Sequence, residues 1–304
     1  MTQTRNTNQT SYSIHPATRL ASVSLTVANL ENQIAFYQQV LGFQLRWRKK
    51  NQAELGTAEQ PLLHLLEQPG YQRYQQVTGL YHFAVLFPNR RELARVMARL
   101  FVLKYPNYPT DHILTKTTYL NDLEGNGIEL YCESPEDGTW IMDENGFGAR
   151  RADGSFSNGR EPLDVDALLQ HLEDKPDINL PAPPETRIGH VHLHVRNVEE
   201  AVDFYHGVLG FDLMGNAKAM QAAFVSAGGY HHHIGLNTWQ GEGAPPPPQD
   251  ALGLRYFSIE LPDQPALDEV IARVDAAGIP SNQTDQGLLL HDPSHNGVML
   301  TKKS

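Results

Sequence analysis

Fourteen histidines stand out in this 304-residue sequence, and six of them fall in two short runs. Ile188-Gly189-His190-Val191-His192-Leu193-His194-Val195 alternates as a β-strand does. That places His190, His192 and His194 on one face, with Val191, Leu193 and Val195 on the other. Imidazoles on an otherwise apolar strand are costly to bury unless each finds a partner, and a metal ion in a polar cavity is one such partner. In Tyr230-His231-His232-His233-Ile234-Gly235-Leu236, strand alternation sets His232 on one face and His231 and His233 on the other. Leu80-Tyr81-His82-Phe83 opens a further strand with a single histidine. Gly125-Asn126-Gly127-Ile128-Glu129-Leu130-Tyr131 is a turn feeding a strand that carries one carboxylate among apolar neighbours, a setting that calls for an arginine or a metal. Taken singly, each feature is also explained by histidines bonded to carbonyls or by ordinary surface alternation. Together, two or three histidines and one carboxylate on separate strands make the facial donor set of non-haem Fe(II) or Mn(II), with positions left open opposite. A further imidazole off the metal would serve as an acid–base group near pH 7.

The elements that must position these residues are organised by a repeat. Asn29-Leu30-Glu31, Phe36-Tyr37 and Val40-Leu41-Gly42-Phe43 recur 168 residues later as Asn197-Val198-Glu199, Phe204-Tyr205 and Val208-Leu209-Gly210-Phe211. Phe83, Pro88 and Arg99 match Phe257, Pro262 and Arg273, and Asp122, Asn126 and Gly127 match Asp292, Asn296 and Gly297. Each copy divides again. Leu20–Val27 alternates as a strand, Leu30–Leu41 has helical spacing closed by Gly42, and short strands come after it. Leu80–Phe87 restarts the cycle, with a helix over Glu92–Phe101 and strands ending at Glu129-Leu130-Tyr131. The expectation is an α+β chain of four βαβββ units. They make two domains, 18–134 and 186–304, joined by a Gly-, Asp-, Asn- and Pro-rich linker, 135–185, with a short helical stretch near Val165–Leu172. Residues 1–17 read as a mobile tail, and the loop Gly241–Asp250, with four consecutive prolines, as a projection between units.

The hydrophobic fraction of 40% supports a sizeable core, and the net charge of −11 argues against nucleic-acid or anionic-membrane binding. A single cysteine, Cys132, excludes an intramolecular disulfide framework. The polar first residues carry no secretory signal, and no apolar run reaches the roughly 20 residues of a membrane span. The expectation is a cytoplasmic protein.

These motifs resemble the vicinal oxygen chelate superfamily, which includes glyoxalase I, fosfomycin-resistance proteins and extradiol ring-cleaving dioxygenases. The resemblance rests on His-Val-x-Leu-x-Val, Asn/Asp-Leu, Phe-Tyr, Leu-Gly-Phe and the terminal Asp-x-x-Gly-Asn-x-x-Glu-Leu, and covers both copies. It is closest to the CatE-like catechol 2,3-dioxygenases, through 78–83, 189–195 and 228–237. It implies curved mixed sheets enclosing a metal site, with Fe(II), or Mn(II), on His82, Glu129 and His190. His232 would be the acid–base residue. Tyr119 and His112 would face the substrate, and His192 and His233 would stand behind the ligands. The implied substrates are a small aromatic diol and O2, cleaved to a muconic semialdehyde; self-association is open. Phe83 and Trp239 are wall candidates or core. Three alternatives share the family: a hydroquinone-cleaving dioxygenase with the same triad, a glyoxalase-like isomerase or lyase, which would have a Glu where this chain has a fourth His, and a metal-free binder, against which His82, Glu129 and His190 all count. One departure constrains the fold. Unit one has Ser22, and unit four has Tyr256 and Met299, where ligands are expected, so the set is complete only if unit two pairs with unit three and unit one with unit four.

Overall fold

The computed structural model describes residues 12–143, 146–173 and 176–303. Unit one is β1 (Arg19–Val27), α1 (Leu30–Phe36), β2 (Gln44–Lys49), β3 (Gln52–Gly56) and β4 (Pro61–Glu67). Unit two is β5 (Gly79–Leu86), α2 (Arg90–Val102), β6 (Tyr108–Asp111), β7 (Thr115–Asn121) and β8 (Gly127–Glu133). A connecting segment holds β9 (Gly138–Asp143), β10 (Gly146–Arg151), β11 (Phe156–Ser157), β12 (Glu161–Pro162) and α3 (Val165–Leu169). Unit three is β13 (Arg187–His194), α4 (Val198–Val202), β14 (Asp212–Ala217), β15 (Ala222–Ser226) and β16 (Ile234–Asn237). Unit four is β17 (Gly253–Leu261), α5 (Gln264–Ala276), β18 (Ser281–Thr284), β19 (Gly287–His291) and β20 (Gly297–Lys302).

Two large mixed sheets result. One runs β18-β19-β20-β17-β1-β4-β3-β2 and joins units four and one; the other runs β12-β6-β7-β8-β5-β13-β16-β15-β14 and joins units two and three. Each is closed at its middle by two first strands lying antiparallel, β1 with β17 and β5 with β13. The sheets therefore cut across the two sequence copies. Apolar residues on the helix-facing side, among them Phe83, Leu130, Val191 and Leu193, form one continuous core with α1 and α2.

The repeated motif residues have structural work. Asn29 and Asn197 accept the amide N–H of Asn32 and Glu200 at 2.9 Å, capping α1 and α4. Gly42 and Gly210 take φ of 75° and 90°, the left-handed conformation that closes these helices. The final turn, expected as α-helix to Leu41, widens instead to a π-turn over Tyr37–Leu41, with a counterpart at Asp203–Val208. These turns carry Tyr37 and Tyr205, whose buried hydroxyls donate to Asp122 at 2.8 Å and Asp292 at 3.1 Å. Arg99 and Arg273 donate to the carbonyls of Val40 and Val208, which end the same helices.

Three expectations need correction. The segment 135–185 is not merely a linker: β9–β11 form a small sheet and β12 adds to β6 at the edge of the nine-stranded sheet. Of the expected tail, residues 1–11 lie outside the described residues, while Ile14 is buried and its N–H donates to Gly210 O at 2.7 Å. Tyr12 lies beneath the Arg273 guanidinium, 4.1 Å from ring centre to carbon. The proline loop folds back rather than projecting, since Pro245 O and Asp250 O accept from Thr78 and Gln72 at 3.0 and 2.9 Å. Among the described residues no helix is long and apolar enough to cross a membrane.

The Tyr37–Asp122 bond joins unit one to unit two, from the π-turn after α1 to the turn between β7 and β8. Tyr37→Phe leaves a buried carboxylate one donor short, so we expect a loss of about 1–3 kcal/mol, read as a lowered urea midpoint at unchanged slope.

Candidate metal centre

Register brings the donors together. In the β5–β13 ladder His82 stands opposite His192 and Ala84 opposite His190; in the β5–β8 ladder Ala84 stands opposite Glu129. Residues directly opposite share a face, and residues two apart on one strand do too. His82, His190 and Glu129 thus project from one face of the sheet around Ala84. The result is a tight triangle. His82 Nε2 and His190 Nε2 are 3.3 Å apart, and Glu129 Oε2 lies 3.1 Å from the first and 3.0 Å from the second. Its other oxygen, Oε1, accepts from Thr117 Oγ1 at 2.9 Å. All three donors are buried. Burial alone pushes the Glu129 carboxyl up, but His190 and His82 more than reverse this and hold it well below the usual carboxylate range.

The donor set fits a divalent ion. Donors about 2.1 Å from a common ion and at right angles to one another are about 3 Å apart, which is the spacing of this triangle. A cation at the centre of the triangle would engage the lone pairs of both imidazole nitrogens and the carboxylate oxygen at once.

The triangle forms part of the wall of a cavity of about 800 Å³. His232 also lines it, its ring 4.2 Å from that of His190 and 5.1 Å from that of Phe224. Burial holds this imidazole well below the ordinary histidine value, and its buried Nδ1 has no partner among the described residues. The Tyr119 hydroxyl lies 2.8 Å from His112 Nε2 and is also hydrogen-bonded to Glu129, while His112 Nδ1 donates to the Gly159 carbonyl. His192 is buried against Gly235, where a Cβ would come within 2.8 Å of its ring, and its Nε2 has no partner among the described residues.

Over residues 19–130 and 187–299 the sequence matches the Glyoxalase/Bleomycin resistance protein/Dioxygenase superfamily. The chain belongs to that superfamily. A curated member, catechol-2,3-dioxygenase of Bacillus subtilis (strain 168), is 42% identical over 284 residues, covering 92% of this chain and 96% of the relative. Among solved structures, glyoxalase I from Zea mays superposes with a TM-score of 0.52 at 15% identity, covering 93% of this chain and 92% of the other. The cppA protein of Streptococcus pneumoniae gives 0.51 at 12% identity, covering 94% and 97%. These two share the superfamily fold.

The sheet formed by units one and four carries no such set: at the matching places Ser22 is bonded to Ser258 at 3.1 Å, Tyr256 donates to Gln286, and Met299 is apolar. Several sequence expectations change. Residues 231–233 precede β16 rather than lying in it, so alternation fails there: His231 lines the cavity beside His232, and its ring lies parallel to Trp140. His233 turns away and does not stand behind the ligands; its Nδ1 accepts from Ala227 N–H and lies 3.0 Å from Ser226 Oγ. His194 leaves the cavity for Asn237, its Nδ1 2.8 Å from Oδ1. Phe83 is core, and Trp239 is a cavity wall. Thr117 and the wall residues Trp140 and Arg160 gave no signal in the sequence motifs. Thr117 was reachable, since alternation from Tyr119 places it on the same face.

His233 yields a pH prediction. Burial lowers it to about 3 from an ordinary 6.5. Between those values the unfolded chain takes up a proton that the folded one refuses, so the metal-free protein loses stability as pH falls below about 6.5, by about 1.4 kcal/mol per unit for this group. Urea unfolding at pH 7.5 and 5 should show His233→Asn with a shallower fall than the native chain.

Proposed function

We propose that this protein is an extradiol ring-cleaving dioxygenase. It opens a catechol beside its two hydroxyls and places both atoms of O2 in a muconic semialdehyde, at a non-haem Fe(II) held by His82, Glu129 and His190. One observation carries the reading: two imidazole nitrogens and a carboxylate oxygen lie within 3.3 Å of one another in the wall of a cavity large enough for an aromatic ring. The likeness to a catechol-2,3-dioxygenase at 42% identity supports it. Fe(II), for which Mn(II) uses the same donors, supplies the one-electron and dioxygen chemistry that no side chain here can.

The chain's own residues bind, orient and move protons. His232, kept neutral by burial, accepts a proton from a catechol hydroxyl and returns it to a leaving oxygen. The Tyr119 hydroxyl, held between His112 and Glu129, stands in the cavity wall beside the donors and would meet a substrate hydroxyl. Thr117 fixes the Glu129 carboxylate in rotation. Phe224, Trp239 and Trp140 give the cavity aromatic walls. A glyoxalase-like isomerase needs a further carboxylate base. Among the described residues that line the cavity, the only other one is Glu161, which is already engaged by Arg151 and Ser157.

His232→Ala should keep its iron and lose about 10²–10⁴ in turnover, whereas Glu129→Ala should lose the iron. Metal analysis with oxygen uptake on catechol after anaerobic Fe(II) loading checks both, and the opposite pattern would exchange the two roles.

A further inference from the structure

β8 carries more than a ligand. Glu129, Tyr131 and Glu133 are spaced two apart, so they share the concave face, while Leu130 and Cys132 enter the core. Tyr131 and Glu133 both reach across to the segment that precedes β16. Tyr230 donates its hydroxyl proton to Glu133 Oε1 at 2.7 Å. With that proton committed, the close contact between the two phenols is a donation from Tyr131 to Tyr230. The Tyr131 hydroxyl passes directly over Gly189, where a Cβ would come within 1.7 Å of it, so only glycine permits this crossing one residue before His190.

Tyr230 is the hub on the other side. Its ring lies 4.1 Å from that of His231 and 4.9 Å from that of His233. The segment it anchors has no ladder of its own from 228 to 233, and it leaves β15 through Gly228 and Gly229, with φ of 62° and 75°. The backbone is fixed again at His233, whose N–H donates to Val225 O at 2.9 Å and whose carbonyl accepts from Val191 N–H at 3.0 Å. Between the glycines and His233, the tie to β8 is the Tyr230 phenol, reinforced by His231 Nδ1 at 3.6 Å from Glu133.

We propose that Tyr230 is a positioning residue for the reaction: through Tyr131 and Glu133 it fastens the His231–His232 segment of unit three to the same strand that bears Glu129 of unit two, so that the acid–base imidazole is held at a fixed distance from the metal donors. This rests on the dioxygenase reading for its catalytic consequence, but the tether itself is independent of it. Tyr230→Phe keeps the ring and removes the hydrogen bonds.

The test is steady-state oxygen uptake on catechol by the iron-loaded protein, with metal analysis and amide hydrogen exchange over 230–233. Tyr230→Phe should retain native iron content and KM within about threefold, lose about 10- to 100-fold in kcat, and exchange faster at 231–233. Glu133→Leu should reproduce this, and Glu133→Gln, which keeps an acceptor, should recover most of kcat. Should Tyr230→Phe fail to fold, the Glu133 pair carries the same comparison. Native kcat and native exchange in Tyr230→Phe and Glu133→Leu overturn the proposal, as does loss of iron in step with kcat. If the native protein takes up no oxygen with catechol, the dioxygenase reading falls, and faster exchange in the variants still establishes the tether.

Discussion

One strand pairing governs this molecule: β5 against β13, antiparallel, at the middle of the nine-stranded sheet. The candidate metal donors come from units that are neighbours in sequence but belong to different copies of the repeat. His82 and Glu129 sit on unit two and His190 on unit three, and only this ladder brings them to one face. Its register matters as much as its existence. A slip of one residue would turn either histidine into the helical layer, because side chains alternate at every step. The burial of Phe83, Val191 and Leu193 on the opposite face penalises such a slip, so the apolar core fixes the position of the polar site.

The sequence made the frame legible because the frame is periodic. Two copies at a near-constant offset, each with Asn at a helix start and Leu-Gly-Phe at its end, correspond to capped helices ending in left-handed glycines. Ser22, Tyr256 and Met299 already implied which units must pair. What the sequence hid was aperiodic. His231 and His233 were misplaced because alternation holds only within a ladder, and theirs begins at Ile234. The strands of 138–162 were hidden because their hydrogen bonds go to each other and to the edge strand β6. Their Gly- and Asp-rich composition describes turns well and says little about such distant partners.

The two sheets also show how one framework is put to different uses. In the nine-stranded sheet His192 stands opposite Gly235; in the eight-stranded sheet the same rung holds Ser24 opposite His64. Bulk has changed sides across the ladder. There Ser24 accepts from Arg255 at 3.0 Å and His64 faces Glu54 at 3.5 Å, so polar residues partner one another where the other sheet keeps its histidines turned to a cavity.

Because the sheets cross the copies, the chain cannot acquire its site piecemeal during synthesis. When residue 134 has left the ribosome, β1 and β5 each still lack their central neighbour, and two of the three donors wait without the third. The triangle first becomes possible when β13 emerges, and the eight-stranded sheet closes only with β20, at the far end of the polypeptide. Assembly of the donor triangle is thus a late event in the life of a nascent chain, and the first half must stay unaggregated, with raw strand edges, until the second arrives.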